Sequence, residues 1–273
     1  MADGCILRDT LLERLARAQS VLVLTGAGMS AESGIPTFRD ARTGLWSRFR
    51  PEELATPEAF ASDPGRVWQW YEERRKAVRA AQPHAGHRAL VQLESLVPEL
   101  TVVTQNVDGL HQLAGSGKVW ELHGNLLRSK CHLTMRPIGS DWLADSPHNP
   151  PRSPYVEGGL ARPDVVWFGE MLPVAAVEAA VAAASRCDFC FSIGTTSLVQ
   201  PAASLPLVAL ERGAALVEIN PAATPLSPHA DQSIRGMASV VLVTLVSELS
   251  AWKQHNEANP QARATPDPTG PPT

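Results

Sequence analysis

The chain has 273 residues, of which 44% are apolar and 19% are charged, and its formal net charge at pH 7 is -4. This composition is typical of one large α/β domain with a smaller attachment. The negative net charge, with no basic run longer than Arg74 to Lys76, argues against a nucleic-acid-binding protein. We therefore expect no nucleic-acid partner and interpret the basic triplet as the solvated face of a helix.

The sequence shows no pattern typical of a membrane or secreted protein. Its longest apolar run, residues 240–246 with Thr244 inside it, is far shorter than the roughly 18 residues of a membrane span. The chain has four cysteines and no recognisable signal peptide, which favours a reducing compartment over a disulfide framework. We expect a cytoplasmic protein with no membrane partner.

Short apolar strands alternate with helical patterns along most of the chain. Apolar periodicity predicts helices over residues 6–19, 84–97 and 174–186. The predicted strands are Val21–Thr25, Thr101–Thr104, Val119–Leu122, Phe189–Ile193 and Ala215–Ile219. This alternation predicts an α/β fold, with a Rossmann-like parallel sheet and helices on both of its faces.

Two insertions interrupt the alternation. Residues 46–83 contain a helix that begins with Asp63 as N-cap and Pro64 as first residue, and the proline-rich residues 125–163 read as loop. We interpret both as a small lobe above the carboxyl ends of the strands, where open α/β sheets bind ligands. The polar, proline-rich tail is predicted to be disordered. The predicted division is 1–45, 84–124 and 164–255 for the Rossmann-like domain, 46–83 and 125–163 for the small lobe, and 256–273 for the tail.

The first predicted strand leads into Gly26-Ala27-Gly28, which is half of a dinucleotide-binding fingerprint. Glycines at this position permit a tight turn and a close approach of the backbone to a pyrophosphate. The third glycine is missing, because Ala31 stands in its place and Gly34 arrives only six residues after Gly28. Taken alone, this match also fits a plain structural turn.

The residues that follow are not expected to form a long helix, because Pro36 would break it. Ser30, Glu32 and Ser33 are expected to cap a short helix whose amino end faces a phosphate. The loop beyond, which contains Arg39, is expected to contact the ligand, with a surface ion pair as the alternative.

Six sequence blocks, in one order and at one spacing, together resemble the sirtuins, a family of NAD-dependent protein-lysine deacylases. The blocks extend over roughly residues 20–250, so a chance match to all of them is negligible. They are Gly26-Ala27-Gly28-Met29-Ser30, Gly34 to Asp40, Gln105-Asn106-Val107-Asp108, His123-Gly124, Phe168-Gly169-Glu170 and Gly194-Thr195-Thr196-Ser197. The resemblance implies NAD as cofactor and acyl-lysine proteins or peptides as partners.

The resemblance also implies a mechanism and its catalytic residues. In sirtuins the acyl-lysine amide oxygen attacks the nicotinamide ribose as nicotinamide departs, a histidine base activates a ribose hydroxyl, and 2′-O-acyl-ADP-ribose is released. His123 matches that base, and an ordinary histidine pKa near 6.5 keeps much of it neutral at pH 7. Gln105, Asn106 and Asp108 match residues that orient the ribose and the carboxamide. Otherwise they are turn residues, with Asp108 capping a helix that begins near Leu110.

Further ligand contacts follow from the same resemblance. The residues that match cofactor contacts are Gly26, Ala27, Gly28, Ser30, Phe38, Arg39, Gln105, Asn106, Asp108, Gly194, Thr195, Thr196, Asn220 and Ala238. Phe168, Gly169 and Val199 match two segments between which a substrate peptide lies as an added strand. Main-chain pairing of this kind accepts many peptide sequences.

The helix that begins at Pro64 contains residues that indicate which acyl group is bound. Tyr71 and Arg74 are three residues apart, so they share a helix face, where a phenol and a guanidinium can bind a carboxylate. They match the class III sirtuin pair that accepts succinyl- and malonyl-lysine, and Ala55 matches a small residue that leaves room for the acyl chain. The alternative is a core aromatic beside an exposed charge. We expect acetyl-lysine to be a substrate as well.

Sirtuins commonly hold their small lobe with four zinc-binding cysteines, of which Cys131 alone remains here. Thr134 stands where its partner is expected, and the second cysteine pair is absent from the sequence. His132, His148 and Glu157 are conceivable substitutes, but a closed zinc site needs four donors, mostly sulfur or imidazole. We therefore expect no zinc.

Apolar contacts are expected to replace the metal, with Trp142, Leu143 and Tyr155 as candidates. The remaining Cys-x-x-Cys motif, Cys187 to Cys190, falls in a predicted strand, where residues three apart point to opposite faces. We therefore expect it to pack, and neither to chelate nor to act in redox chemistry.

The leading hypothesis is an NAD-dependent protein-lysine deacylase that prefers acidic acyl groups. Mono-ADP-ribosyl transfer is the nearest alternative, because the same activated ribose carbon can meet another nucleophile. A non-catalytic NAD or acyl-lysine sensor is disfavoured, because a sensor needs no base such as His123. A dehydrogenase is disfavoured by the late glycine and by Pro36.

Overall fold

The computed structural model describes residues 5–35 and 51–258. The strands are β1 (Ser20–Thr25), β2 (Glu99–Thr104), β3 (Val119–Glu121), β4 (Gly124–Cys131), β5 (Pro137–Ile138), β6 (Ala161–Val165), β7 (Phe189–Ile193), β8 (Ala215–Ile219) and β9 (Gln232–Ile234). The helices are α1 (Asp9–Arg17), α2 (Ala27–Ala31), α3 (Pro51–Leu54), α4 (Pro57–Ser62), α5 (Pro64–Ala80), α6 (Ala85–Leu96), α7 (Leu110–Ala114), α8 (Ser140–Ala144), α9 (Val174–Arg186), α10 (Leu205–Glu211) and α11 (Ala238–Ala258).

Six of the described strands form one parallel sheet in the order β3-β2-β1-β7-β8-β9. The chain builds outward from β1 in one direction and then returns to build outward from β7 in the other, which is the order of a doubly wound Rossmann sheet. The predicted fold class is confirmed. β1 and β7 flank the point where the order reverses, and open sheets bind their ligands at the carboxyl ends of such strands.

Both faces of this sheet are buried, and β1 shows why its sequence is continuously apolar. Val21 and Val23 belong to the apolar cluster that includes residues of α1, α6 and α11. Leu22 and Leu24 belong to the cluster on the other face, which includes residues of α9 and α10. Successive side chains of a strand alternate between faces, so helices on both sides require apolar residues at every position.

The carboxyl-terminal helix α11 is absent from the sequence-based expectations. Its buried residues follow helical spacing and are Ala238, Val241, Leu242, Leu245, Val246 and Leu249. The helix continues to Ala258, so the first three residues of the predicted disordered tail, 256–258, are helical. The rest of that tail lies outside the described residues.

The expectation that residues 125–163 form a loop is wrong, because β4, β5 and β6 make a small antiparallel sheet there. The pairing of β4 with β6 shifts register between Asn125 and Ser129. This bulge breaks the alternation of buried and exposed residues by which a strand is recognised. Pro163 in β6 further weakens the strand signal.

A buried arginine joins this small sheet to α5, which corrects the interpretation of the basic triplet as a solvated face. Arg75 is 2% exposed. It donates hydrogen bonds to the carbonyls of Leu126 (2.6 Å) and Arg128 (2.8 Å) and to Ser129 Oγ (2.7 Å). Its remaining partner is the carboxylate of Glu72 at 2.6 Å. The two carbonyls lie within the bulge, so Arg75 provides hydrogen bonds where the β-ladder is interrupted.

Two of the three residues expected to stabilise the small lobe do so. Leu143 and Tyr155 pack against a buried cluster that contains Cys131. Trp142 is 50% exposed, so that expectation is wrong, and its indole instead donates a hydrogen bond to the Arg152 carbonyl at 2.8 Å. Trp142 thus contacts the small lobe through its polar edge rather than by burial of its ring.

The Cys-x-x-Cys motif packs in the core, as expected, although the expected strand geometry is wrong. Cys187 is the residue after α9 and precedes β7, so only Cys190 lies in the strand. Both thiols are reduced and belong to the same apolar cluster. Burial raises the pKa of Cys187 to about 11 and holds that of Cys190 well above its ordinary value, so neither thiol is a ready thiolate.

The described ranges contain no helix with both the length and the apolar character that crossing a bilayer requires.

Arg75→Lys is predicted to lower the free energy of unfolding by about 2 kcal/mol, because an ammonium cannot reach several acceptors in the fork that a guanidinium provides. The loss is measured as a lower thermal midpoint, by roughly 5 °C. Arg79→Lys is the matched control, because Arg79 is exposed on the same helix. Equal midpoints for the two variants would contradict the role of Arg75.

Candidate active site

The candidate site residues come together because most of them directly follow strands of the parallel sheet. The carboxyl ends of parallel strands share one edge of the sheet, so the residues after them converge. Those residues are Gly26 after β1, Gln105 after β2, His123 shortly after β3, Gly194 after β7 and Asn220 after β8.

The loops after β1 and β7 are in backbone contact at this edge. The Gly28 N–H donates to the Gly194 carbonyl at 2.8 Å, and the Gly26 N–H donates to the Ile193 carbonyl at 3.0 Å. A Cβ atom on Gly28 would stand 2.8 Å from Gly194 Cα, and one on Gly194 would stand 2.4 Å from the Met29 nitrogen. Contact within the chain therefore requires these glycines, whatever ligand they also meet.

The expectation that Ser30, Glu32 and Ser33 cap a short helix is wrong. The short helix is α2, and its N-cap is Gly26. Ser30 lies inside α2, while Glu32 follows it and accepts a hydrogen bond from the Ser239 N–H at 3.1 Å. A Cβ atom on Gly26 would stand 2.8 Å from Thr195 Cβ, so the contact with the loop after β7 leaves no room for a bulkier N-cap residue. Helix α2 then begins at the next residue, Ala27.

Ser30 instead links the two polar residues of the loop after β2. Asn106 donates through its amide nitrogen to Ser30 Oγ and to the Gly26 carbonyl, both at 2.9 Å. Ser30 Oγ in turn donates to Asp108 Oδ2 at 2.6 Å. Both amide protons of Asn106 are thus engaged within the chain, and its amide oxygen is the group left to accept a hydrogen bond from a ligand.

Asp108 also caps α7, so its capping interpretation holds alongside the contact with Ser30. Its Oδ1 accepts from the Leu110 N–H at 2.9 Å, where α7 begins. Burial raises the pKa of Asp108, and the hydrogen bond from Ser30 opposes this shift. A ligand that donates a hydrogen bond here would stabilise a carboxylate whose charge is poorly solvated.

His123 is held in one tautomer by a main-chain carbonyl. Its Nδ1 lies 2.9 Å from the Gln105 carbonyl, which can only accept, so Nδ1 carries the proton. The neutral ring then presents an unprotonated Nε2. Burial lowers the pKa of His123, and the hydrogen bond to Gln105 opposes that shift. The imidazole is therefore neutral at pH 7 and able to accept a proton.

Gly124, the residue after His123, lets β4 begin at once. Its φ is +79°, and a Cβ atom there would stand 2.2 Å from the Asp164 carbonyl oxygen in β6. Only glycine fits that approach. The His-Gly dipeptide thus joins the large sheet to the small sheet at the position of the imidazole.

The loops after β2 and β7 are also joined by side chains. The Gln105 amide donates to Thr195 Oγ1 at 3.0 Å, and this buried hydroxyl also accepts from the Ser197 N–H. Thr196 beside it is half-buried. The Asn220 amide nitrogen donates to the Ala222 carbonyl at 2.8 Å, which leaves its oxygen as an acceptor.

Not every predicted cofactor contact can be placed. Phe38 and Arg39 lie outside the described residues. Ala27 opens α2, and Ala238, which is 5% exposed, opens α11. Ala238 approaches α6, because a Cβ atom on Gly86 would stand 3.0 Å from its carbonyl oxygen.

Three buried or half-buried histidines behind the glycine loop are absent from the sequence-based expectations. His84 bonds the Met29 carbonyl through Nε2 at 2.6 Å and accepts from the Gly86 N–H at 2.9 Å, so its Nε2 is the protonated nitrogen. The His87 ring lies between those of His84 and His111, edge-on to the first at 4.3 Å and tilted against the second at 5.0 Å between ring centres. No local pattern in the sequence indicates these contacts, because His111 lies on a different helix from His84 and His87.

These rings are kept uncharged by their surroundings. Burial lowers the pKa of His87 to about 2 and that of His111 to about 4. His111 Nε2 lies 2.9 Å from Thr25 Oγ1, which donates to Thr104 Oγ1, and that hydroxyl accepts from the Asn106 N–H. This chain of hydrogen bonds fixes the backbone position of Asn106 from beneath.

The predicted acyl-binding residues lie beside the small sheet. Ala55 and Tyr71 belong to one buried apolar cluster with Trp167, and Val107 from the loop after β2 packs against it. The Phe168 N–H donates to the Ala55 carbonyl at 2.9 Å. The same cluster therefore connects the helical insertion with the loop that carries Asn106 and Asp108.

Arg74 is half-buried, so its interpretation as an exposed charge is wrong. Its guanidinium carbon lies 4.9 Å from the centre of the Trp70 ring. Its Nε–H is buried and has no hydrogen-bond partner among the residues that the structure describes. Tyr71 is 5% exposed, consistent with a core aromatic, but its hydroxyl makes a polar contact with the Trp167 indole at 3.0 Å.

The residues predicted to flank a substrate peptide are open to solvent. Phe168 and Val199 are each 50% exposed, and Gly169 is exposed with a φ of +84°. They stand on the segments after β6 and β7, and the segment of Phe168 adjoins the cluster that contains Ala55.

A model of the Sir2 family matches residues 26–201, more than half of the chain, from the glycine loop to the segment after β7. The chain belongs to the Sir2 family. Its curated relatives include NAD-dependent protein deacylase 1 of Archaeoglobus fulgidus, 48% identical over 240 residues, which covers 87% of this chain and 96% of the relative. A second relative is the NAD-dependent protein deacylase of Thermus thermophilus, 51% identical over 227 residues, with 82% of this chain and 87% of the relative covered.

Solved Sir2 structures share the fold of this chain. A Sir2 homologue in complex with NAD superposes with a TM-score of 0.83 at 45% identity, covering 92% of this chain and 97% of that one. A Sir2 variant with a deacetylated p53 peptide and 3′-O-acetyl ADP-ribose gives a TM-score of 0.76 at 31% identity, covering 88% of this chain and 97% of that one. The family resemblance inferred from six sequence blocks is confirmed.

Deacylation is predicted to fall on acidification, because protonation of His123 removes the base. Since burial lowers the pKa of this histidine, the midpoint of kcat/KM against pH is expected below about 6.5. His123→Ala is expected to abolish nearly all turnover and to leave the fold intact by circular dichroism.

His255→Ala, which removes an exposed histidine of α11, is the matched control. Unchanged turnover in His123→Ala, or a midpoint well above 7, would exclude His123 as the base.

Proposed function

We propose that this member of the Sir2 family, an NAD-dependent protein-lysine deacylase, preferentially removes succinyl and malonyl groups and also accepts acetyl-lysine. The observation that carries the acyl preference is the pair formed by Tyr71 and Arg74. Tyr71 is buried in one cluster with Ala55, and Arg74 is half-buried one helical turn further along α5. Both retain hydrogen-bond donors, the phenolic O–H and the buried Nε–H, that the described part of the chain does not use. Buried donors of this kind favour a ligand that accepts.

A carboxylate is the ligand that best suits these donors. Burial raises the pKa of Tyr71 to about 12, so the phenol keeps its proton at pH 7. Burial lowers the pKa of Arg74, because its charge is poorly solvated. A terminal carboxylate would compensate that charge and accept from the phenol, whereas an acetyl group would leave both donors without a partner.

NAD fits the polar groups at the carboxyl edge of the sheet. Ser33 and Ser197, on the segments after α2 and β7, have buried hydroxyls with no partner in the described ranges. With the amide oxygens of Asn106 and Asn220, they suit a ligand rich in hydroxyl and phosphate groups. When bound, NAD supplies a ribose carbon that becomes electrophilic as nicotinamide leaves.

The residues of the chain then orient the bound ligands and accept a proton from them. Asn106 is held by Ser30 and Gly26, so its amide oxygen has one direction in which to accept. Asp108 is placed to receive a hydrogen bond next to it. His123 takes a proton at Nε2, and the imidazolium that results keeps its Nδ1–H on the Gln105 carbonyl.

The peptide that carries the acyl-lysine is proposed to lie between the segments of Phe168 and Val199. Both are solvent-exposed, and Phe168 adjoins the cluster that holds Ala55 through its N–H bond to the Ala55 carbonyl. The p53 peptide in the related Sir2 complex supports a peptide partner for this fold.

We also propose that the small lobe, residues 46–83 and 125–163, is held without zinc above a Rossmann-like domain of residues 1–45, 84–124 and 164–255. Among the described residues, no three His, Cys, Asp or Glu side chains are arranged to hold a metal ion. Cys131 is buried; burial acts to raise its pKa, but hydrogen bonds with Ser153 and Thr134 lower it to about 7. Four reduced cysteines support a cytoplasmic location.

Arg74→Met is predicted to reduce kcat/KM for a succinyl-lysine peptide about 10- to 100-fold, because a charge-assisted hydrogen bond to the carboxylate is lost. The loss for the matched acetyl-lysine peptide is expected to be much smaller. Arg79→Met, on the exposed face of the same helix, is the control.

Product formation is followed by mass spectrometry with and without NAD. Equal losses on both peptides would make Arg74 a structural residue. ADP-ribose attached to protein without any lysine deacylation would instead favour mono-ADP-ribosyl transfer.

A further inference from the structure

The hydroxyl of Tyr71 is in contact with a second aromatic residue whose polar group can only donate. Trp167 Nε1 lies 3.0 Å from the Tyr71 oxygen, and both residues are buried. An indole N–H has no acceptor capacity, so the Tyr71 oxygen accepts in this bond. The phenolic proton takes no part in it and must point elsewhere. The orientation of that proton is therefore constrained by Trp167.

Trp167 is itself held firmly by an ion pair. Arg162 and Glu170 are bonded through two nitrogen–oxygen contacts, and the Arg162 guanidinium carbon lies 3.2 Å from the centre of the Trp167 indole. Glu170 Oε2 also accepts from the Trp167 N–H at 2.8 Å, while Arg162 donates to the Val165 carbonyl at 3.0 Å. Ring and backbone of Trp167 are thus fixed by one pair of charges.

Other aromatic rings complete the enclosure of the indole. Phe60 lies 5.3 Å and Tyr71 6.4 Å from Trp167 between ring centres. The indole cannot turn without disturbing these contacts, so its N–H keeps pointing at the phenol. This rigidity favours ligand binding, because a mobile donor must be ordered when the ligand binds and the entropy lost in ordering reduces the affinity.

We propose that Trp167 is a positioning residue for acyl-group specificity: its N–H occupies the acceptor side of the Tyr71 hydroxyl, so that the phenolic proton is directed at the carboxylate of an acidic acyl group. This inference rests on the proposed function of Tyr71 and Arg74. The Arg162–Glu170 pair acts indirectly, because it fixes the position of the Trp167 indole. An acidic acyl group gains from this arrangement, and an acetyl group does not.

Trp167→Phe removes the N–H and keeps an aromatic ring. The ratio of kcat/KM for succinyl-lysine over acetyl-lysine peptide is expected to fall about three- to ten-fold, mainly through a higher KM for the succinyl peptide. Tyr71→Phe is expected to lower the same ratio. The double variant should show little further loss, because the indole acts through the phenol.

Trp68→Phe is the matched control, since Trp68 is a buried tryptophan of α5 that packs under Arg75. Glu170→Gln tests the same chain of contacts without altering the indole, and a smaller fall in the same ratio is expected. Thermal midpoints report whether each variant is folded. A ratio unchanged in both Trp167→Phe and Glu170→Gln, or fully additive losses in the double variant, would overturn the proposal.

The two proposals fail differently. If the wild-type protein shows no preference for the succinyl peptide and Arg74→Met changes both activities equally, the proposed acyl preference fails. If Arg74→Met and Tyr71→Phe lower the ratio while Trp167→Phe behaves like Trp68→Phe, the acyl preference stands and the role of Trp167 fails.

Discussion

The backbone contact between Gly28 and Gly194 is the constraint on which the site depends. It brings the loops after β1 and β7 together at the reversal point of the sheet, with 2.8 Å between the Gly28 nitrogen and the Gly194 carbonyl oxygen. This approach excludes any side chain from both positions. Ser30 follows one loop and Thr195 the other, and each receives a hydrogen bond from the loop after β2. A single close approach thereby sets the relative positions of three loops.

A second set of constraints relates the small sheet to this edge. Gly124 allows β4 to begin directly after His123, and Arg75 replaces the ladder bonds that the β4 bulge interrupts. Both residues stabilise the region in which the chain leaves the parallel sheet at β3 and enters the antiparallel sheet at β4. The cluster of Ala55, Tyr71 and Trp167, which we propose to bind the acyl group, includes residues of both insertions and packs against the loop after β2. In this proposal, acyl specificity depends on how the small sheet is held.

The sequence predicts those parts of the structure in which the type of each residue depends on its local surroundings alone. The Rossmann-like sheet is predicted by its continuously apolar strands. The convergence of Gln105, His123 and Gly194 is predicted by their positions directly after such strands. The bulge in β4 is unpredictable from local pattern, because it removes the alternation that identifies a strand. The burial of Arg75 is equally hidden, since its acceptors are carbonyls more than fifty residues away.

The role of Ser30 shows the same limit within the site. Its position after a glycine loop suggests a cap, while its hydroxyl bonds a carboxylate 78 residues distant. The histidine contacts behind the loop likewise join two separate segments, the start of α6 and α7. Partnerships of this kind are set by packing of the sheet and helices, so they appear only when the fold is known.

The most direct test of this account is the affinity of Gly28→Ala for NAD, measured by isothermal titration calorimetry. The added methyl group would meet the Gly194 backbone at 2.8 Å, so the two loops should separate and the affinity should fall at least about ten-fold. Gly139→Ala, where an added methyl group meets nothing within 4 Å, is expected to bind as the wild type does. A folded Gly28→Ala protein that binds NAD with unchanged affinity would contradict the central role of this contact.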